Sequence, residues 1–111
     1  MAKQVHRKKY EAASRVTLGR AFLAMGRISD AVAELRTAVR ETDQLGSPPG
    51  RWQARAALGQ ALLAAGRDVE GGSTFTEAGG IINDMASGLA PERAKRLLSA
   101  DPIREVLEAG R

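Results

Sequence analysis

One ten-residue phrase occurs twice in this chain, at an offset of 40 residues: LGRAFLAMGR at positions 18–27 and LGQALLAAGR at positions 58–67. Farther along, Leu35 corresponds to Phe75 and Ala38 to Ala78 at the same offset. Similar residues at a fixed offset indicate one structural unit present twice. Such a unit cannot bury its apolar side alone and gains a core by stacking on its neighbour. The repeat therefore constrains the fold more than any other feature of the sequence.

The first unit has the apolar spacing of two helices. The first helix is predicted from residue 8 or 9 to Met25, with an apolar stripe of Tyr10, Ala13, Val16, Ala21, Phe22 and Met25. Gly26 supplies a left-handed C-cap, and Ser29 is the predicted N-cap of a second helix over about 30–45. That helix is predicted to bury Ala31, Leu35, Ala38 and Val39 and to expose Glu34, Arg36, Arg40 and Glu41.

The second unit repeats this plan after a predicted loop, GSPPG, at residues 46–50. A helix over 51–65 ends at Gly66, and a fourth helix covers about 69–86. Two glycine pairs weaken the fourth helix by about 1 kcal/mol per glycine relative to alanine. Packing of its larger side chains is expected to hold it in place; these are Phe75, Ala78, Ile81, Ile82 and Met85.

The last part of the chain has no counterpart in the repeats. Residues 90–99 predict a short helix with Pro91 near its first turn, and a second one follows with Asp101 as N-cap and Pro102 at its first position. Its predicted apolar face holds Ile103, Val106 and Leu107. Because the terminal unit of a stack must be capped, these helices are expected to cover the last repeat.

The predicted fold is all-α: one domain over residues 1–111, built as an α-α superhelix of two helical hairpins with C-terminal capping helices. Repeat 1 spans 8–46, repeat 2 spans 51–87 and the capping helices span 90–111. The length suits one small domain. Only four residues are aromatic, and alanine and leucine fill most apolar positions, which favours closely packed helices over sheets.

Seven positions of each unit resemble the tetratricopeptide repeat, whose pattern alternates small and large residues at fixed spacings. They are Leu18, Gly19, Phe22, Gly26, Ala31, Leu35 and Ala38 in the first unit, and Leu58, Gly59, Leu62, Gly66, Gly71, Phe75 and Ala78 in the second. The chain departs from the family in its 40-residue period, in Arg15 and Arg55 where a large aromatic is usual, and in lacking proline at the end of each second helix.

The longer period resembles variant repeats in large bacterial signalling ATPases and transcription regulators. The ending SGLAPERAKRLLSADPIREVLEAGR is similar to the C-terminal end of such a repeat region. This resemblance implies an alternative function, as a sensor or nucleic-acid-associated part of a bacterial regulator.

Composition excludes several kinds of chemistry. The chain has no cysteine and one histidine, His6, so disulfides, thiol catalysis and cysteine-ligated zinc are excluded. No phosphate-binding loop or dinucleotide motif is present, and the carboxylates follow the spacing of solvated helix faces. We therefore predict a non-enzymatic protein without cofactor or metal. With no apolar run near the roughly 18 residues of a membrane span and no signal peptide, a soluble cytoplasmic protein is expected.

The resemblance implies that the first helix of each unit lines a concave groove that binds a partner protein or peptide. The matching positions are Ala13, Val16, Arg20, Leu23 and Ala24, then Gln53, Ala56, Gln60, Leu63 and Ala64. Arg20 and Gln60 are equivalent in the two units and are the candidates for binding a partner's backbone or carboxylate; the alternative is that Arg20 is merely solvated. Leu23 and Leu63 either face a partner or pack internally. Trp52 either covers the core between the repeats or contacts a partner.

The net charge of +4 comes from one short segment. Its basic side chains are Lys3, Arg7, Lys8 and Lys9, and the rest of the chain carries as many acidic as basic residues. They are candidates for contacting nucleic acid or an acidic partner. Because one cluster without interleaved aromatics is a weak signal of nucleic-acid binding, a protein partner is the main expectation.

Two repeats are fewer than the three or so that a stable stack usually needs, and no capping helix precedes the first unit. The sequence therefore predicts either a homodimer formed through this open end or a place within a longer repeat array.

Overall fold

The computed structural model describes the backbone of residues 2–110 and the side chains of residues 6–110. Six helices lie in this part of the chain: α1 Ala2–Ala24, α2 Ile28–Leu45, α3 Pro48–Ala64, α4 Asp68–Ser87, α5 Pro91–Ser99 and α6 Ile103–Ala109. α1 packs on α2 and α3 on α4 as two hairpins, α2 packs on α3 between the hairpins, and α5 and α6 cover α4. The predicted all-α fold of two helical hairpins with C-terminal capping helices is confirmed.

The two hairpins turn in the same way. Gly26 and Gly66 each have a φ of +79°, which is the left-handed conformation that glycine adopts without steric cost. In each turn the following arginine donates its backbone N–H to a carbonyl five residues earlier: Arg27 to Phe22 and Arg67 to Leu62, both at 2.9 Å. These bonds satisfy carbonyls left over at the helix end, so the repeated phrase encodes a repeated helix end.

Each hairpin closes on a contact between a glycine and a large side chain. A Cβ added to Gly19 would lie 2.5 Å from Leu35 Cδ2, and one added to Gly59 would lie 2.8 Å from Phe75 ring carbons. A Cβ at Gly71 would lie 2.9 Å from Leu63 Cδ2. Since real Cβ atoms do not approach other atoms this closely, these glycines set the distance between the paired helices.

Within the described residues, the core consists of two clusters. The first lies between the hairpins and contains Ala31, Val32, Leu35, Ala57, Leu58, Ala61 and Leu62. The second joins repeat 2 to the capping helices and contains Trp52, Ala56, Phe75, Ala78, Ile81, Ile82, Ile103 and Val106. Trp52 is buried in the second cluster, so the interpretation that it covers the core between the repeats is wrong. None of the helices within residues 2–110 is long and apolar enough to cross a membrane.

The apolar stripe predicted for α1 faces the core only in part, at Val16 and Phe22. Tyr10 and Met25 are exposed, as are Ala13 and Ala21. The side of α1 that packs on α2 carries Ala12 and Gly19, both buried, with Val16, Phe22 and Leu23 half-buried. The prediction failed for the four exposed residues because α1 has apolar residues on two sides, and helical spacing alone does not separate the two.

Several predicted helix ends shift. α1 begins at Ala2 and α2 at Ile28, so Ser29 lies inside α2 and makes no capping hydrogen bond. α3 begins at Pro48, within the predicted loop, because prolines without an N–H fit the first turn of a helix. α6 begins at Ile103 with Pro102 as its N-cap, so Asp101 is not the cap.

The glycine contacts predict opposite effects of alanine at two kinds of helical glycine. Gly59→Ala forces its methyl group against the buried Phe75 and should lower the free energy of unfolding by about 1–3 kcal/mol. Gly72→Ala and Gly80→Ala, where an added Cβ meets nothing within 4 Å, should raise it by up to about 1 kcal/mol. Urea unfolding followed by circular dichroism measures all three. Equal effects at Gly59 and Gly72 would contradict the close-packing role.

Candidate partner-binding groove

A groove of about 550 Å³ lies between α1 and the start of α3. One wall comes from α1 and the other from the end of α2, the turn after it, the first turns of α3 and the segment before α6. Its lining residues are Lys9, Ala12, Ala13, Val16, Thr17, Arg20, Thr42, Leu45, Ser47, Gly50, Trp52, Gln53, Pro102 and Ile103. This size lies within the range of sites that bind small molecules or peptide side chains.

Helical spacing explains which side chains of α1 reach the groove. Ala13, Val16 and Arg20 are three and four residues apart and so lie on one side of the helix. Of the positions expected to contact a partner, the structure brings Val16, Arg20 and Gln53 together here. Pro102 and Ile103 also line the groove, although sequence reasoning placed them only in the capping helices.

The charged residues of the groove are all basic. Among the residues that the structure describes, Lys9 and Arg20 are its only charged lining residues, and none of its described lining residues carries a carboxylate. Both side chains are exposed, and neither forms an ion pair with any residue of the described part of the chain. The groove therefore combines an apolar surface with two cations that are available to a ligand.

The other expected contact residues lie elsewhere. Leu23 packs against the cluster between the hairpins, which matches the internal-packing alternative. Leu63 and Gln60 are exposed but do not line the groove, and Leu63 touches Gly71 of α4. Ala56 is buried in the second cluster, so its assignment to the groove surface is wrong.

The basic segment does not form one surface. Lys9 lines the groove, whereas Lys8 lines a smaller depression of about 200 Å³ between α1 and α2, with Glu11, Glu41, Gln44 and Leu45. Arg7 is exposed, and the side chain of Lys3 lies outside the described residues. Adjacent positions on a helix point about 100° apart, so these cations are divided between two surfaces.

Sequence reasoning missed the ion pairs of a buried arginine with two more exposed carboxylates. Arg55 of α3 is only 8% exposed and donates two hydrogen bonds to Asp43 of α2, from Nη1 at 2.7 Å and from Nη2 at 2.9 Å. Its Nε donates to Glu77 of α4 at 3.2 Å. The hydrogen bond to Asp43 raises the pKa of Arg55, and the same bond holds the pKa of Asp43 below its ordinary value. One side chain thus joins three helices across the boundary between the repeats.

The arginine at the equivalent place in repeat 1 forms a different arrangement. Arg15 pairs with Glu34 at 2.8 Å and also with Glu41, both on α2. Arg36 of α2 pairs with Glu70 of α4 at 2.5 Å and lowers the pKa of that carboxyl. The expectation that Glu34, Arg36 and Glu41 are simply solvated is therefore wrong. A signal was present in the sequence: arginine stands twice where the repeat pattern has an aromatic residue.

The fold and the groove define a class, that of helical repeat proteins built from antiparallel hairpins. The sequence model of the tetratricopeptide repeat family matches residues 16–79, more than half of the chain, and the protein belongs to this family. Comparison with curated proteins and with solved structures gives no match. Members of the family generally mediate protein–protein interactions and are typically non-catalytic. Among the described residues, no group of three or more His, Asp or Glu side chains is placed to hold a metal ion.

We expect Arg55→Ala to lower the free energy of unfolding by about 2 kcal/mol, because it removes charge-assisted hydrogen bonds and leaves Asp43 without its main partner. The matched control is Arg51→Ala, which removes one bond of 3.0 Å to the same carboxylate from a more exposed site. That change should cost under about 1 kcal/mol. Urea denaturation of both variants measures the difference, and equal losses would contradict a special role for Arg55.

The Asp43 carboxyl also predicts a dependence on pH. A carboxyl whose pKa is lowered in the folded state adds stability that is fully present above its unfolded pKa of about 4 and is lost as the pH falls through the folded value. The Asp43→Asn variant should therefore lose less stability than the wild type between pH 5 and the acid range below about pH 4. Asp84→Asn, at an exposed site of α4, is the control and should follow the wild-type profile.

Proposed function

We propose that this protein is a non-catalytic binding module that holds an acidic, partly apolar segment of a partner protein in the groove between α1 and α3. The observation that carries the proposal is the charge of the groove, whose two charged lining residues are both cations. Family membership supports a protein partner, since the family generally binds proteins.

The positions of the two cations suggest the form of the ligand. Lys9 and Arg20 are both on α1 and are separated by three turns, about 16 Å along the helix axis. An extended segment covers this distance in about five residues. A partner segment with two carboxylates about five residues apart therefore reaches both cations, and either carboxylate can be a side chain or a chain terminus.

The surface between the cations suits apolar and backbone groups. Ala13 and Val16 on α1 face Trp52 and Ile103 across the groove, and together they offer an apolar surface. Thr17 and Gln53 provide hydrogen-bonding groups for the backbone of an extended ligand. We therefore expect apolar residues between the two carboxylates of the partner segment.

The experiment is an array of eight-residue peptides that vary the number and spacing of carboxylates, each made with a free or an amidated C-terminus. We expect the bound peptides to carry two carboxylates about five residues apart and to lose affinity as salt is added. Arg20→Glu should weaken the best binder at least tenfold. Arg93→Glu, at an exposed site of α5, should leave it unchanged. Selection of basic peptides, or equal binding by wild type and Arg20→Glu, would overturn the proposal.

The finer expectations from sequence resemblance are separate from this proposal. A place in a bacterial signalling or transcription regulator and a cytoplasmic location stay predictions, and binding in the groove depends on neither. Deletion of residues 1–7 distinguishes the nucleic-acid alternative from protein binding in the groove, since it removes Lys3 and Arg7 and leaves the groove residues intact. Salt-sensitive binding of DNA that this deletion abolishes would favour that alternative.

A further inference from the structure

The side of α1 that faces away from α2 is uncharged over four helical turns and borders the groove at Thr17. We call it the open face, and it consists of Tyr10, Ser14, Thr17, Leu18, Ala21 and Met25, all exposed. Tyr10 is 76% exposed, Met25 60% and Leu18 43%. The spacing of these residues, three or four apart, is that of a stripe that packs on another helix.

The second repeat shows what covers the same stripe 40 residues later. The equivalents of Ser14, Thr17, Leu18 and Ala21 are Ala54, Ala57, Leu58 and Ala61, and these are between 0% and 5% exposed. Leu58 and Ala61 lie in the cluster that contains Val32 and Leu35 of α2. In repeat 2 this stripe is thus covered by α2, the second helix of the preceding hairpin. Two of the four covered residues, Leu58 and Ala61, are identical to their equivalents in the open face.

In a second copy of this chain, the described helix surfaces that correspond to the covering side of α2 already have neighbours. Its α2 is already packed on its own α3. The corresponding side of α4 is covered by α6, since Thr76 Oγ1 donates a hydrogen bond of 2.8 Å to the Gly110 carbonyl and a Cβ at Gly79 would lie 3.5 Å from Leu107. Head-to-tail stacking of copies is therefore blocked. Pairing of two open faces with each other is a separate arrangement, which the sedimentation measurement below detects.

The charged residues next to the open face indicate how a helix that covers this face differs from α2. In repeat 2, Asp43 of the covering helix pairs with Arg51 and Arg55. The equivalents in repeat 1 are Glu11 and Arg15, and Arg15 is already paired with Glu34 and Glu41. Lys8 lies beside Glu11. The place that Asp43 would take on the open face is therefore surrounded by three carboxylates and two cations. A basic residue fits here, whereas the acid that α2 carries would be repelled.

The size of Tyr10 adds a second condition. Its equivalent in repeat 2 is Gly50, where an added Cβ would lie 3.4 Å from Thr42 Cγ2. A tyrosine in that place needs a smaller residue opposite it. The covering helix should therefore have alanine or glycine where α2 has Thr42.

We propose that the open face of α1 docks an amphipathic helix from outside residues 1–111, antiparallel to α1 as α2 is to α3. This helix has an apolar ridge like that of α2, a small residue at the place of Thr42 and a lysine or arginine at the place of Asp43. The site borders the groove at Thr17 and includes neither Lys9 nor Arg20.

Two helical peptides test this proposal on the intact chain. Both have the sequence of residues 28–45 with Thr42→Ala, are held helical by a crosslink between positions 33 and 37, and carry a fluorophore; one also has Asp43→Lys. Fluorescence anisotropy should show saturable binding of the lysine peptide, at least fivefold tighter than the aspartate peptide. Leu18→Glu in the chain should weaken it at least tenfold, and Val69→Glu, at a 90% exposed site of α4, should not.

Further measurements separate the alternatives. Arg93→Glu, at an exposed site of α5 away from both sites, should leave binding of the lysine peptide unchanged, and failure of the groove proposal does not affect this one. Circular dichroism checks that Leu18→Glu stays folded. The proposal is overturned if neither peptide saturates, or if the aspartate peptide binds as tightly. Sedimentation velocity that shows self-association lost on Leu18→Glu, without peptide binding, assigns the open face to a second copy instead.

Discussion

The structure depends on one contact within each hairpin, where the two helices lie so close together that only glycine fits between them. Gly19 accommodates Leu35 and Gly59 accommodates Phe75, so one residue in each pair has no side chain and the other fills the space. A small domain has little apolar area to bury, and short distances between helices increase the contacts that each alanine and leucine makes. The same contact made twice gives two hairpins of one shape, which is the condition for stacking them in register.

Stacking then produces two different surfaces on the first helix of each unit. In α3 both are used, since one side packs on α4 and the other on α2. In α1 the second surface has no neighbour in the described chain, and a further side of this helix joins α3 to form the groove. The two ends of the stack therefore differ: α6 covers the second hairpin, whereas the first hairpin presents an exposed apolar stripe. Arg55 reinforces the internal boundary, because its guanidinium joins α2, α3 and α4 at one point.

Much of this fold could be predicted from the sequence, because each residue of one repeat can be compared with its equivalent in the other. The left-handed glycines, the buried faces of α2 and α4, and the fold class follow from spacing alone. What spacing could not show was which of two apolar sides of α1 faces the core, since Tyr10 and Val16 satisfy the same periodicity. The ion pairs of Arg15 and Arg55 were missed because their carboxylates lie on other helices, at separations from 12 to 26 residues. In the groove, Val16, Arg20 and Gln53 were found from the family pattern, but Ile103 was not, because its contribution depends on how the C-terminal segment folds back.

The presence of Pro102 and Ile103 in the groove wall has a thermodynamic consequence. The groove is built from residues near both ends of the chain, so it is complete only when α6 is docked on α4. Detachment of α6 would open the wall without unfolding the hairpins, and local openings of this kind occur at lower free energy than global unfolding. By linkage, any ligand that contacts Ile103 favours the docked state and stabilises the last helix. The C-terminal helix, a cap in architectural terms, thereby becomes an element whose order reports whether the groove is occupied.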